Sequence, residues 1–294
     1  MNYREFGKTS FKTSLVGMGT FYDAMWIVQA MVFGVQRGRK EKLEALRTGL
    51  QNGINFIDTT EIYRSESIVS EAVKGMKRDE IFIATKVWSN HLTEDALIRA
   101  CKRSLERLGT SYVDLYQIHF PNSKVPLKET MGAMERLLSD GLIRAIGVSN
   151  FSLKEMMDAQ DALGKAEIVS TQMNYNLAHR DIERDILPYC QREKIAVIAY
   201  YPLGHGKLGR PYDGFAQLIE YEKERPNLDV EKSHQRKDDW LPSQVALSWL
   251  FSRNELVFPI PRASTANHVF QDAKACDLVL SPEQIRFLEE KYPL

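Results

Sequence analysis

Eight short runs rich in β-branched and aromatic residues recur along the chain, near residues 14–18, 54–57, 81–86, 113–118, 143–148, 168–173, 195–200 and 256–260. Helical spacing fills the stretches between them: Leu43, Leu46 and Leu50 in one, Leu97, Cys101, Leu105 and Leu108 in another. Strands alternating with helices argue for parallel β-α units, because a parallel neighbour is reached only through a crossover. Eight such units predict an α/β fold, a closed (β/α)8 TIM barrel. The 294 residues contain no Pro/Gly/Ser-rich linker or charge block, so a single barrel domain over 1–294 is expected. Ser152 with Glu155, and Ser281-Pro282 with Gln284, mark helix starts with capping boxes. An opening β-hairpin is expected around the turn-like G-K-T-S-F-K at 7–12.

Three of these strands end in polar residues. I-N-F-I-D at 54–58, I-F-I-A-T-K at 81–86 and Y-V-D-L-Y-Q-I-H at 112–119 close on Asp58, Lys86 and His119, and Tyr63 follows Asp58 by five residues. Neighbouring strands lie about 4.8 Å apart, so a carboxylate, an ammonium, an imidazole and a phenol meet at the C-terminal end of the barrel, where such folds carry their sites. A cation beside a buried phenol is expected to lower its pKa, which suits a tyrosine to general acid catalysis. Any one of the four alone could simply close a strand.

Composition narrows the partners. Lys plus Arg and Asp plus Glu number 39 each, which leaves no basic field for nucleic acid or anionic membrane. Cys101, Cys190 and Cys276 lack the spacing of a disulfide framework or zinc site and fit a reducing cytoplasm. The start M-N-Y-R-E-F-G-K has no apolar signal core, and the longest apolar stretch, 24–35, is too short to span a bilayer. A soluble cytoplasmic protein is expected. Residues 20–38 hold Phe21, Tyr22, Met25, Trp26, Ile27, Met31 and Phe33, more apolar surface than a solvated loop carries, so they are expected to wall a pocket or to seat a second copy in a homo-oligomer. The loop at 203–240, charged from Glu220 to Asp239, is long enough to be functional or mobile.

G-H-G-K-L-G at 204–209 matches the dinucleotide fingerprint, but Arg210-Pro211 follows it and one further strand remains, whereas that fingerprint opens a helix early in a sheet. A loop beside a ligand is the better reading. His119 and Asp58 invite a metal-hydrolase alternative; without an H-x-H or H-E-x-x-H pair, and with a lysine among the candidate ligands, no metal is expected.

G-I-N-F-I-D-T-T-E-I-Y, A-T-K-V, D-L-Y-Q-I-H-F-P, I-G-V-S-N-F and T-Q-M-N-Y-N, in this order and spacing, resemble the aldo-keto reductases over nearly the whole chain. The resemblance implies a barrel that reduces the carbonyl of an aldehyde, ketone or sugar with NADPH, or oxidises the alcohol in reverse. It implies Tyr63 as proton donor, Lys86 as the cation lowering its pKa, Asp58 as the partner of Lys86, and His119 as the group orienting the carbonyl. Ser149, Asn150 and Gln172 would hold the nicotinamide carboxamide and Tyr200 would stack on its ring, with Gly19, Thr20 and Leu203 also at the cofactor. The stretch I-P-R-A-S-T-A-N-H-V-F-Q-D at 260–272 resembles the segment for the adenosine 2′-phosphate and adenine, through Arg262, Ser264, His268, Gln271 and Asp272. His268 stands where the family commonly has arginine and Asp272 where it commonly has asparagine, so NADH use stays open.

Trp26, Trp88, Phe120 and Tyr201 are the expected walls of a substrate pocket for a small carbonyl compound. The principal alternative is a noncatalytic role, with the same barrel binding a nicotinamide cofactor as a redox sensor or regulatory subunit.

Overall fold

The structure, a computed structural model, describes residues 1–209 and 240–294. The chain opens with the expected hairpin, β1 (Tyr3–Glu5) antiparallel to β2 (Lys12–Ser14), with Tyr3 opposite Ser14. Gly7 turns it at φ 60, and an added Cβ would lie 2.9 Å from the Lys194 carbonyl, so glycine is required there. The hairpin delivers Phe6, wholly buried, to the N-terminal end of the barrel, where its ring meets Phe56, Phe82 and Phe258 at 5.9, 4.8 and 5.1 Å between centroids. Such aromatic pairs add to the burial they bring. They fill the barrel floor.

Eight parallel strands follow: β3 (Met18–Gly19), β4 (Phe56–Asp58), β5 (Phe82–Val87), β6 (Leu115–Ile118), β7 (Ile146–Ser149), β8 (Ile168–Asn174), β9 (Ala196–Tyr200) and β10 (Val257–Pro259), each from β4 onward paired with its predecessor. The sheet curls until β3 reaches the segment after β10. Gly17 and Gly19 donate to the Pro259 and Pro261 carbonyls at 2.9 and 2.8 Å, and Ala263 donates to the Gly19 carbonyl at 2.9 Å. A Cβ on Gly19 would sit 2.9 Å from the Ile260 carbonyl, so this seam closes only around a bare backbone. All eight expected strands are present. The first is shorter than 14–18 because Ser14 is committed to the hairpin.

Between the strands run α1 (Ala24–Phe33), α2 (Arg39–Gln51), α3 (Glu66–Ala72), α4 (Glu94–Leu108), α5 (Leu127–Ser139), α6 (Leu153–Ala162), α7 (Ile186–Glu193) and α8 (Pro242–Arg253), and α9 (Ala266–Lys274) and α10 (Pro282–Lys291) follow the last strand. Helix α4 buries Leu97, Cys101, Leu105 and Leu108 as its spacing predicts, and the capping boxes at Ser152 and Ser281 form, the second with Pro282 in the first turn. No described helix is long and apolar enough to cross a membrane.

The 20–38 segment is itself helical. Asp23 caps α1 by accepting from the Trp26 amide at 2.6 Å, and Gly34 ends it at φ 67. Trp26 does not wall a pocket, as its position after the first strand suggests: it is 1% exposed, packs edge-on to Tyr22 at 5.0 Å, and donates its indole N–H to the Arg37 carbonyl at 2.9 Å. A ring so large with one polar atom anchors the helix when that atom is satisfied. The faces of α1 turned away from Trp26 expose Met25, Val28, Met31 and Val32, and Phe33, at the last turn, is 71% exposed. The charged stretch Glu220–Asp239 and most of the 203–240 loop fall in 210–239, outside the described residues.

Candidate active site

The C-terminal ends of β4, β5 and β6 bring Asp58, Lys86 and His119 together, with Asp58 opposite Ala84 and Lys86 opposite Gln117 in the strand register. Lys86 is wholly buried, and its Nζ donates to Asp58 Oδ1 at 2.6 Å and to the Thr59 carbonyl at 3.0 Å. Asp58 Oδ2 accepts from the Gln172 amide at 2.9 Å, so both carboxylate oxygens are held. Burial lowers the pKa of the Lys86 ammonium while the charge and hydrogen bond of Asp58 raise it. The Asp58 carbonyl is fixed in turn by the Thr20 amide and hydroxyl, both at 3.0 Å. Thr20 is fully buried and Gly19 is engaged in the seam, so these two tie strands together.

Tyr63 ends a short 3₁₀ turn, Glu61–Tyr63, that follows β4. Its ring lies 5.5 Å from Lys86 Nζ, 5.1 Å from the Phe21 ring and 5.8 Å from the His119 ring. Glu61, buried at the start of the turn, accepts from the Trp88 amide at 2.6 Å and meets His91 Nδ1 at 2.9 Å, which pins the turn to the loop after β5. The expectation of a lowered Tyr63 pKa is overturned: burial, followed by the Asp58 carboxylate, raises it well above its ordinary value. The cation beside the phenol is already matched by Asp58, and desolvation of a phenolate outweighs what remains. Tyr63 is therefore a protonated phenol at neutral pH.

His119 stacks on Phe120 at 4.9 Å and lies edge-on to Trp88 at 5.2 Å. Burial, with the Lys86 charge second, lowers its pKa to about 3, so the imidazole is neutral. Phe21, Trp88, Phe120 and Tyr201 surround the Tyr63–His119 pair, with Phe21 6.3 Å from Tyr201. Phe21 fills the wall position that the sequence suggests for Trp26.

On β7 to β9 a second set is linked. Ser149 Oγ donates to the Gln172 carbonyl at 3.1 Å, the Asn150 amide donates to the His119 carbonyl and to Ser149 Oγ, both at 3.0 Å, and Tyr200 donates to Asn150 Oδ1 at 2.7 Å. Asn150 and Tyr201 hold left-handed backbones at φ 60 and 50, a strain that concentrates at functional sites. Leu203, partly exposed, starts the 3₁₀ turn Gly204–Gly206, and the G-H-G-K-L-G run opens no α-helix among the described residues; His205 packs on Tyr201 at 3.8 Å.

The 262–272 row lies across the seam. The Arg262 guanidinium donates to the Tyr22 carbonyl, Ser264 Oγ is 3.5 Å from His268 Nδ1, and Gln271 Oε1 accepts from Gln244 at 2.9 Å. Asp272 departs from expectation: it is 5% exposed, and burial pushes its carboxyl up to about 8, so it does not present a carboxylate on the open side of the row. Sequence reasoning placed Phe21 only within the apolar 20–38 segment and missed Glu61 and Lys42. The E-I-Y spacing could have pointed to Glu61; Lys42 joins the row only through helix packing, donating to the Ser264 carbonyl at 3.3 Å.

Known proteins resemble this chain in sequence and fold. The family model for the aldo/keto reductase family matches residues 30–293. Methylglyoxal reductase YeaE of Escherichia coli (strain K12) is 34% identical over 281 residues, covering 95% of this chain and 90% of that protein. Glyoxal reductase of Bacillus subtilis (strain 168) is 32% identical over 256 residues, 86% of this chain and 84% of that protein. An aldo/keto reductase from Klebsiella pneumoniae, solved in complex with NADP and acetate, matches with a TM-score of 0.80 at 34% identity over 98% of this chain and 94% of that one. With its eight-stranded barrel and the four side chains gathered at one end, the chain belongs to the aldo-keto reductase family of NADP-dependent carbonyl oxidoreductases.

Proposed function

We infer that Tyr63, Lys86, Asp58 and His119 carry the reduction of small aldehydes and ketones, with short 2-oxoaldehydes as the preferred class. The observation that carries this reading is the buried Lys86–Asp58 pair beneath a protonated Tyr63 whose ring shares one aromatic enclosure with His119. When bound, NADPH supplies a hydride to the carbonyl carbon. Negative charge then grows on the carbonyl oxygen, and Tyr63 gives up its proton there. The phenolate that results is costly in a buried site, and the Lys86 ammonium offsets that cost at the moment it arises. Asp58 holds Lys86 in place through one oxygen and receives Gln172 through the other, so the cation cannot swing away. A neutral His119 orients the carbonyl without repelling the cation beside it. Ser149, Asn150 and Gln172 form a connected set of amide and hydroxyl groups, and Tyr200 offers a partly exposed ring, which fits a nicotinamide and its carboxamide. Phe21, Trp88, Phe120 and Tyr201 exclude water around the reacting atoms. The names of the two bacterial relatives, for methylglyoxal and glyoxal, favour compact dicarbonyls.

A panel of aldehydes, ketones and sugars, followed by NADPH absorbance with products identified by mass spectrometry, tests this. The expected result is turnover that depends on NADPH and is fastest with 2-oxoaldehydes. Tight NADPH binding with no turnover of any carbonyl would favour the redox-sensor alternative.

The exposed face of α1 supports a second reading, that two copies of this chain associate there. Between Ala24 and Phe33 the helix has no charged residue, and a helix apolar all round is normally covered. Met25, Val28, Met31 and Val32 on its outer side are 49–66% exposed, and contiguous apolar surface of this kind marks an interaction site. Sedimentation velocity should show a dimer that Phe33→Glu dissociates; a monomer at all concentrations rules this out. Cys101, Cys190 and Cys276 are unpaired and buried, which fits a reducing cytoplasm.

A further inference from the structure

Three basic side chains from three elements meet around the 262–265 loop, and one of them comes from far along the chain. Arg262 belongs to the loop, His268 to α9, and Lys42 to the first turns of α2, which packs along α9. Lys42 Nζ donates to the Ser264 carbonyl at 3.3 Å and lies 5.3 Å from the centroid of the Tyr22 ring, while the Tyr22 carbonyl accepts from Arg262. Residue 22 thus holds both cations, one by its ring and one by its carbonyl. The Lys42 side chain is 14% exposed, so its stem is fixed before any ligand arrives. Its ion pair is with Glu41 at 3.4 Å, and the Glu41 side chain is 55% exposed; such a pair at the surface contributes little. By contrast, His268 is exposed, and its ring reaches Ser264 Oγ at 3.5 Å, the limit of a hydrogen bond. Arg39, the first residue of α2, is turned to a different partner, Glu71 at 2.8 Å, and so does not join the three.

We propose that Lys42 is a specificity-determining residue for the adenosine 2′-phosphate of NADPH, supplying positive charge there together with Arg262. This rests on the reading of the 262–272 row as the adenosine end of the cofactor site. An ammonium held against Ser264 faces a phosphate monoester as a compact point charge, and a charge-assisted contact of this kind is among the stronger single hydrogen bonds. A cofactor without the 2′-phosphate gains nothing from it. Lys42 therefore separates NADPH from NADH.

Calorimetric dissociation constants test this with four ligands: NADPH, NADH, 2′,5′-ADP and 5′-AMP. Lys42→Met keeps the buried stem and removes the charge. It should weaken NADPH and 2′,5′-ADP by roughly ten- to a hundred-fold, while NADH and 5′-AMP change less than about two-fold. Lys42→Arg should keep most of the discrimination, and His268→Ala should lose less of it than Lys42→Met. Lys42→Gln serves if the methionine variant folds poorly. An equal loss for NADPH and NADH would make Lys42 a structural residue and overturn the proposal, as would unchanged NADPH affinity. Wild-type protein that binds neither dinucleotide would instead overturn the functional reading on which the proposal stands.

Discussion

The two ends of the candidate cofactor site are built in opposite ways. At the ends of β4 to β6, Asp58, Lys86 and His119 are 2, 0 and 7% exposed, and their polar contacts run between strands. Across the seam, Arg262 and His268 are exposed, Ser264 is half-buried, and the His268 contacts are local, to Ser264 and to the helix cap Thr265. The chemistry near Tyr63 needs groups fixed before the substrate arrives, because charge develops faster than a loop can reorganise. A phosphate needs only charge within reach. One end is set by the strand register, and the other is assembled from a loop and two helices.

That contrast predicts unequal costs. Lys86→Met strands the Asp58 carboxylate in a buried site and should lower stability by about 3–5 kcal/mol, read by chemical denaturation; a loss below about 1 kcal/mol would mean that water reaches the pair. Trp26→Ala should cost about 3–5 kcal/mol as a core deletion and change KM little. If Trp26 walled the pocket instead, stability would hold and KM would rise for bulky carbonyls alone.

The two ends also titrate in opposite senses. Asp272, held near 8 when folded against about 3.9 unfolded, keeps a proton that the unfolded chain has lost. Stability from this group is full below about pH 4 and declines by up to about 1.4 kcal/mol per unit as pH rises towards 8. His119, near 3 when folded against about 6.5 unfolded, refuses a proton that the unfolded chain takes up, so its contribution is full above about pH 6.5 and is lost on acidification. The slopes oppose each other between about pH 4 and 6.5, and Asp272 acts alone from there to 8. Asp272→Asn should flatten denaturation midpoints across that upper interval. Midpoints as steep as in the wild type would show that the carboxyl is ionised and solvated. The smallest effect belongs to Ser264→Ala, within about 0.5 kcal/mol; a larger loss would mean that the seam side is as tightly built as the other.

The strand side is legible in the sequence and most of the seam side is hidden, for a physical reason. A strand displays its end: Asp58, Lys86 and His119 each close an apolar run, and that run fixes their height in the barrel. Spacing places Tyr63 but not the direction of its pKa, because that depends on whether burial or Lys86 prevails. Helix α1 gives no sign of which face turns inward, since apolar residues occupy nearly all of it and Trp26 looks no different from Met25. The contact of Lys42 with Ser264 spans 222 residues and arises from α2 lying against α9, which no local pattern reports.

Tyr63→Phe isolates the proton from everything else, since it removes one oxygen and keeps the ring that Phe21 and His119 pack against. Single-turnover reduction of a 2-oxoaldehyde by variant protein saturated with NADPH should fall by roughly 10²- to 10⁴-fold, with the NADPH dissociation constant unchanged. Reduction at a rate near that of the wild type would contradict the assignment of Tyr63 as the acid.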